Sequence, residues 1–554
     1  MAMRAVLNGL AALATLAVLV FPGRAAVPSA RTADAADVTR DASPDAERAY
    51  QEPLRPQLHF SPPAQWMNDP NGLVYLDGEY HLFYQFHPFG TVWGSMHWGH
   101  AVSTDLVHWS NLPIALYPDR HGTIFSGSIV YDRANTSGLG TRERPPLVAI
   151  YTYNDHALEV RGSLKFQTQG LAYSVDKGRS WQKYPGNPVL QNPGMRDFRD
   201  PKLSWYEAHR KWIMTLAAGD HVSFYSSRDL KHWAHESDFG REWGAHHGVW
   251  ECPDLFPMPV AGERTRRDVL LVSINPGAAD GGSATQYFIG RFDGHAFRLD
   301  ADLRQQLQRR PADALWVDRG ADDYAGVTWS GVPPADGRRL FIGWMNNWAY
   351  AQVIPTGAWR GAMTLPRELR LVRTARGLEV HSLPIAELAQ LRLQGVPLTA
   401  GPVLQPVNLV GPTLGRTGLL ELDAQLDPRD AGTIALEFAN ADGEAVTFRI
   451  NRRERRYELD RSRSGQVEFS HAFSPLQTAP MPTSGEQVSD VQVRLRVFVD
   501  RSAIEIFVNE GETVLTDQVF PNHPYTAIHL SADRGIELRS GAVYDLQSIW
   551  PQAH

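Results

Sequence analysis

Residues 55 to 370 show little of the 3.6-residue spacing of a helix and instead break into short apolar alternations bounded by Gly, Pro, Asn and Asp. One piece of punctuation recurs. It reads Ser103-Thr104-Asp105-Leu106-Val107-His108-Trp109, Ser174-Val175-Asp176 running to Trp181, and Ser227-Arg228-Asp229-Leu230-Lys231-His232-Trp233, with a weaker echo at Arg291-Phe292-Asp293-Gly294. A period of roughly fifty to seventy residues fits a repeated antiparallel sheet with loop insertions. Within the first unit, Asp77-Gly78 between two alternating runs is a strong hairpin signal, because both residues tolerate the positive φ of a type I′ turn.

Hairpin entrances can be counted at Asn68-Asp69, Phe125-Ser126-Gly127-Ser128, Arg199-Asp200, Glu251 and Asp322-Asp323-Tyr324. Acidic residues recur at these entrances, each expected just ahead of a first strand. A two-sheet sandwich gives no reason for that recurrence, whereas sheets arranged around one axis would bring the entrances together. The expectation is therefore a five-bladed β-propeller over 55–370. After Leu369 the pattern changes. A short helix-like stretch from Pro384 to Leu391 falls in a linker expected at 371–392, and alternating strands follow. Val493, Leu495, Val497 and Val499 share one face, and Ile504, Ile506 and Val508 resume the alternation after Asp500-Arg501-Ser502, so 393–554 reads as an antiparallel β-sandwich. The predicted fold class is all-β, an N-terminal propeller followed by a sandwich.

Arg4, the apolar run Ala5 to Phe21 and the small residues up to Ala25 and Ala26 read as a secretory signal peptide, with cleavage near Ala25 or Ala26 and a secreted or periplasmic product. Residues 27–54 have almost no large apolar side chains and are expected to be a disordered spacer. The single Cys252 excludes an intramolecular disulfide, so stability must come from core size. Losing Arg4 and Arg24 would take the formal charge from -7 to -9, that is -7 minus 2. That balance argues against nucleic acid or an anionic membrane surface as partner and suits a neutral polymer.

Converging carboxylates are the equipment of glycoside cleavage, in which one attacks the anomeric carbon and a protonated second donates to the departing oxygen. Asp69, in the turn Asn68-Asp69-Pro70-Asn71, is expected to stay ionised, and Glu251 beside Trp250, Cys252 and Pro253 to be raised by apolar company. Asp200 beside Arg199 is expected to remain charged and to grip sugar hydroxyls. Of the 16 Trp residues most belong in a core, while Trp93 and Trp348 lie in polar loop sequence where an indole could stack on a sugar. Gln85, Ser126 and Asn68 could add neutral hydrogen bonds. His97-Trp98-Gly99-His100 and His246-His247 lack zinc-hydrolase spacing, Cys252 sits in no nucleophile signature, and no dinucleotide or phosphate loop is present, so neither metal nor cofactor is expected.

These motifs resemble glycoside hydrolase family 32, the β-fructofuranosidases that include invertases, inulinases and levanases. Trp66-Met67-Asn68-Asp69-Pro70-Asn71-Gly72 is similar to the family's nucleophile motif, Arg199-Asp200-Pro201 to its stabiliser motif and Trp250-Glu251-Cys252-Pro253-Asp254 to its acid/base motif. Val499-Asp500-Arg501-Ser502 resembles its sandwich signature. The resemblance implies Asp69 as nucleophile, Glu251 as acid/base, Asp200 as transition-state stabiliser, and sugar contacts from Asn68, Gln85, Trp93, Phe125, Ser126 and Arg199. Gly343 to Tyr350 and Trp359 to Arg367 look most like exo-acting inulinases and levanases, which implies fructan as substrate and sucrose as a lesser one. An invertase, an endo-levanase, a transfructosylating enzyme and a non-catalytic glycan-binding propeller are the alternatives.

Overall fold

The computed structural model describes residues 50–309, 314–482 and 492–550. The expected signal peptide and most of the expected spacer lie outside the described residues. The spacer's last residues do not fit that reading: Tyr50 stacks on Trp550 with ring centroids 3.7 Å apart, and Glu52 accepts from Arg55 Nε at 3.0 Å.

The chain is all-β. Five sheets, antiparallel but for one short strand, follow one another from Gln65 to Pro384, and a seven-stranded and a six-stranded sheet occupy Arg392 to Leu546. None of the sheets closes on itself into a barrel among the described residues. In the first group the inner strands are Gln65–Leu76, Thr123–Tyr131, Phe198–Tyr206, Val249–Pro259 and Tyr324–Thr328. Each inner strand touches the next, and the fifth touches the first. The short strand Trp359–Arg360 also returns to the first sheet, pairing parallel to Gln65 and Trp66.

Local chemistry explains the repeat. Asp77 and Gly78 have φ of 50° and 93°, and they join Gln65–Leu76 to Glu79–His87 as the hairpin signal requires. The recurrent Ser-x-Asp-Leu-x-His-Trp stretch is a turn. Asp105 Oδ1 accepts from the backbone N–H groups of Val107 and His108, and Trp109 Nε1 donates to the carbonyl of Leu106. Asp229 and Trp233 repeat those bonds in the third sheet. Leu106 and Leu230 both take positive φ, 66° and 63°, a strain that the Asp and the indole hold in place.

The sandwich packs Leu420, Leu422, Leu495, Val497, Ile504 and Ile506 of one sheet against Ile434, Leu436, Phe438, Phe448 and Ile450 of the other. Each such side chain contributes roughly 1.5–3 kcal/mol relative to leaving it in water. Two expectations need correcting here. Residues 371–384, read as part of a linker, form strands of the fifth sheet, Arg367–Thr374 and Gly377–Pro384, and only Ala386–Leu391 is a short 3-10 helix. Asp322 and Asp323, counted as an acidic entrance, are buried among cations: Asp323 pairs with Arg367, and Asp322 with Arg461. Arg367 also pairs with Glu505 of the sandwich, so this is a cross-link between the two parts of the chain. The Val499-to-Ser502 signature belongs to the same junction, because Asp500 accepts from the backbone N–H groups of Gln57 and Leu58 and bonds His59 Nδ1 at 2.7 Å.

Candidate active site

All five inner strands break register at the same place. The interruptions fall between Met67 and Pro70, Ile124 and Gly127, Arg199 and Lys202, Glu251 and Asp254, and Tyr324 and Val327. A bulge turns side chains out of the pleat, and here it re-aims one short segment from each sheet. The segments at these breaks are Asn68-Asp69-Pro70, Phe125-Ser126-Gly127, Arg199-Asp200-Pro201, Glu251-Cys252-Pro253 and Tyr324-Ala325-Gly326, the first two starting one residue later relative to the break than the other three. Their last position is always Pro or Gly. At Gly127 the reason is direct, since an added Cβ would lie 2.1 Å from the carbonyl oxygen of Ile150. Asp200, Cys252 and Ala325, at the middle position, have φ of 65°, 46° and 54°, unusual values for residues other than Gly. The acidic residues therefore stand inside the inner strands, not ahead of them.

The segments converge. Ser126 Oγ donates to Asp69 Oδ2 at 2.7 Å, and Asn68 Nδ2 donates to Asp69 Oδ1 at 2.9 Å. The Asn68 amide is itself oriented by Trp66 Nε1, which donates to its oxygen at 2.8 Å. Asp200 Oδ2 accepts from the backbone N–H of Cys252 at 3.0 Å, and the Asp200 N–H donates to Thr152 Oγ1 at 3.0 Å. The Cys252 thiol lies 3.6 Å from both Asp69 Oδ2 and Asp200 Oδ2, so it joins the two carboxylates. Glu251 Oε1 accepts from Arg199 Nε at 3.0 Å, and Glu251 Oε2 meets the hydroxyl of Tyr324. Arg199 is anchored on its other edge by Asp197 at 2.6 Å.

Burial, and then the charge of Glu251, raise the Asp69 carboxyl, while Ser126 and Asn68 pull it back. Asp200 is pushed up to about 7, mostly by burial; Arg199 opposes this and the neighbouring Glu251 and Asp69 add to it. The expectation that Asp200 simply stays charged beside Arg199 is thus corrected: a 6% exposed carboxyl loses more from desolvation than one guanidinium returns. Apolar company for Glu251 is not found either. Trp250 turns into the core, where it lies against His246 and Phe288, and leaves Glu251 facing Arg199 and Tyr324. Burial and then Asp200 and Asp69 hold the Cys252 thiol well above its ordinary range, so it stays protonated.

Gln85 lies in the strand opposite the first bulge and donates to Asn71 Oδ1 at 2.8 Å. Phe125 is fixed by Trp98 Nε1, which donates to its carbonyl at 3.0 Å, and its ring meets Trp93 edge-on at 5.9 Å. Trp93 is 42% exposed, and the half-buried Trp348 leans on Trp66 and Trp344. Sequence reasoning missed Tyr324 and Thr152. Tyr324 carried a signal: Tyr324-Ala325-Gly326 is the fifth of the bulge triplets.

The family model of the glycosyl hydrolases family 32 N-terminal domain matches residues 59–382, and that of the family 32 C-terminal region matches 387–549. A levanase of Bacillus subtilis is 45% identical over 508 residues, covering 90% of this chain and 72% of that protein. An extracellular exo-inulinase of Aspergillus niger is 36% identical over 528 residues, covering 90% and 96%. The crystal structure of an exo-inulinase from Aspergillus awamori superposes with a TM-score of 0.80 at 34% identity, over 90% of this chain and 100% of that one. Two family models that together span the five-sheet region and the sandwich, and relatives that match along the same length, agree with the converging carboxylates: this chain belongs to glycosyl hydrolase family 32.

Proposed function

We propose that the protein is an exported, retaining exo-β-fructosidase that removes terminal fructose from levan or inulin and also accepts sucrose. The observation that carries this reading is the convergence of Asp69, Asp200 and Glu251 on equivalent bulges, with Glu251 held by groups from two other sheets. Levanase and exo-inulinase relatives support fructan as the substrate class. The cycle of touching inner strands supports a five-bladed propeller, ending near Pro384, with the sandwich from Arg392. Export rests on the N-terminal sequence and on the extracellular relative.

In this scheme Asp69 attacks the anomeric carbon of the terminal fructosyl unit as Glu251 gives its proton to the glycosidic oxygen, so that the C–O bond breaks and the leaving chain departs neutral. Both Asp69 oxygens are already held, so the carboxylate meets the substrate in one orientation. Water then attacks the fructosyl-enzyme, Glu251 takes its proton, and Asp69 is released. Tyr324 suits both states of Glu251, since its hydroxyl donates to the carboxylate and accepts from the acid. Asp200 grips fructose hydroxyls whose bonds tighten as the ring becomes oxocarbenium-like. A time course of sugars released from levan, inulin and sucrose by the wild type and by Asp69→Ala tests the proposal. Fructose from the first minutes, lost in the variant, is expected. Early oligosaccharides would make it an endo-enzyme, and no release from any substrate would leave a glycan-binding propeller.

A further inference from the structure

Four large aromatic side chains are exposed among the described residues: Phe89 at 76%, Tyr117 at 54%, Trp93 at 42% and Trp205 at 38%. Three of the four, with Val92 at 46%, sit together on the first sheet's loops. They continue the wall of the site outward. Phe125, next to the Ser126 that bonds Asp69, meets Trp93 at 5.9 Å. Gly94, the next residue, packs so tightly on the His87 ring that an added Cβ would lie 2.5 Å from it. His87 meets Phe89 edge-on at 6.1 Å, Phe89 meets His97 at 5.7 Å, and His97 meets Tyr117 at 5.5 Å.

The backbone beneath these rings is tied down. Trp66 N–H donates to the Gly90 carbonyl at 3.0 Å, Arg360 Nη1 to Thr91 at 3.0 Å, and His87 Nδ1 to Val92 at 2.8 Å. Lys183 holds the Tyr117 carbonyl and Asp119. His97 is 4% exposed and donates from Nδ1 to Ser95, so it acts as a fixed spacer between two outward rings. Exposed aromatic surface held in a rigid loop is costly in water, and binding to it needs little ordering of the protein.

We infer that Phe89 and Tyr117 form an outer platform for the fructan chain, stacking on the second and later sugar units that leave with the glycosidic oxygen. The inference rests on the fructan reading above. It gives the site a means of telling polymer from disaccharide. Sucrose ends one sugar beyond the scissile bond and does not reach Phe89 or Tyr117, whereas a polymer crosses both. A neutral chain of C–H faces and hydroxyls suits aromatic rings whose neighbouring cations, Lys183 and Arg360, are already held by backbone carbonyls and Asp119.

The test is steady-state kinetics of Phe89→Ala, Tyr117→Ala and the double variant on levan, inulin and sucrose. The expected result is a fall in kcat/KM on the preferred polymer of about three- to tenfold per ring, carried by KM, with sucrose kinetics unchanged. Phe89→Tyr and Tyr117→Phe should retain polymer turnover. Retarded migration of Asp69→Ala in polymer-containing gels, lost when both rings are removed, supplies a readout without turnover. Equal losses on sucrose and polymer, or no loss on polymer, would overturn the platform. A wild type that cleaves sucrose but no fructan would instead overturn the substrate reading, and the two failures are distinct.

Discussion

Arg199 reaches one oxygen of Glu251 with two nitrogens, Nε at 3.0 Å and Nη2 at 2.9 Å, from the equivalent bulge position of the preceding sheet. Fork geometry of this kind belongs to arginine, because lysine offers a single rotating point charge. Arg199→Lys keeps the charge and loses the fork. We expect kcat/KM to fall about 10- to 100-fold, measured as initial rates on sucrose, with Asp197 left without its guanidinium partner.

Tyr324 contributes a hydroxyl and a ring. Its ring packs near Trp344, 6.4 Å between centroids, so Tyr324→Phe should fold normally and remove only the bond to Glu251. A hydrogen bond to a charged group contributes about 1.5–3 kcal/mol, which corresponds to a loss of roughly 10- to 150-fold in kcat. An unchanged kcat in the variant would show that Glu251 cycles its proton without help from the fifth sheet.

Asp200 trades stability for function, and the sign follows from its raised carboxyl. The folded protein holds that proton up to about pH 7, whereas the unfolded chain releases it near the ordinary value of 3.8. Stability from this group is therefore lost as pH rises from about 4 to 7 and stays lost above. Asp200→Asn cannot ionise. Calorimetry should show the variant melting a few degrees above the wild type at pH 8 and no higher near pH 4, with activity down by at least about 100-fold. A lower melting temperature at pH 8 would mean that Arg199 outweighs burial.

His59 carries the opposite dependence. Burial opposes a charge on the ring, but Asp500 and Glu505 outweigh it and push His59 up to about 9. Its contribution is complete below about pH 6.5 and is lost as pH rises through 9. His59→Gln should lower Tm by several degrees at pH 6, and the gap to wild type should close by pH 10.

Cys252 is buried and its thiol is held protonated, so native enzyme should keep full activity through hours of iodoacetamide at pH 8. Labelling should appear only after unfolding, as read by mass spectrometry. Rapid inactivation would show that the thiol is exposed in solution.

Much of this was legible in the residues. Alternation and the Asp-Gly turn are local properties, and they are what a strand and a hairpin are made of. The recurrent Ser-x-Asp-Leu-x-His-Trp stretch could be seen as a repeat, though its meaning, an Asp gathering backbone N–H groups while an indole closes the turn, needed coordinates. Asp69, Asp200 and Glu251 stood out because Pro follows within two residues. Tyr324 did not, since Gly fills the position of Pro in its segment and an acidic pair beside it drew the eye. Asp322 and Asp323 look like site acids in sequence. What sends them to Arg461 and Arg367 is a contact across more than forty residues, beyond the reach of any local pattern.

The shared bulge has one more consequence, for biogenesis. Asn68 with Asp69, Ser126, Arg199 with Asp200, Glu251 with Cys252, and Tyr324 come from five separate sheets, and Trp359 and Arg360 return to the first of them. A fragment that stops before Tyr324 lacks one of the five segments, so a nascent chain is without a complete centre until 324 of its 554 residues are made. Regain of turnover during refolding then reports the meeting of all five segments, which makes catalysis itself a stopwatch for assembly.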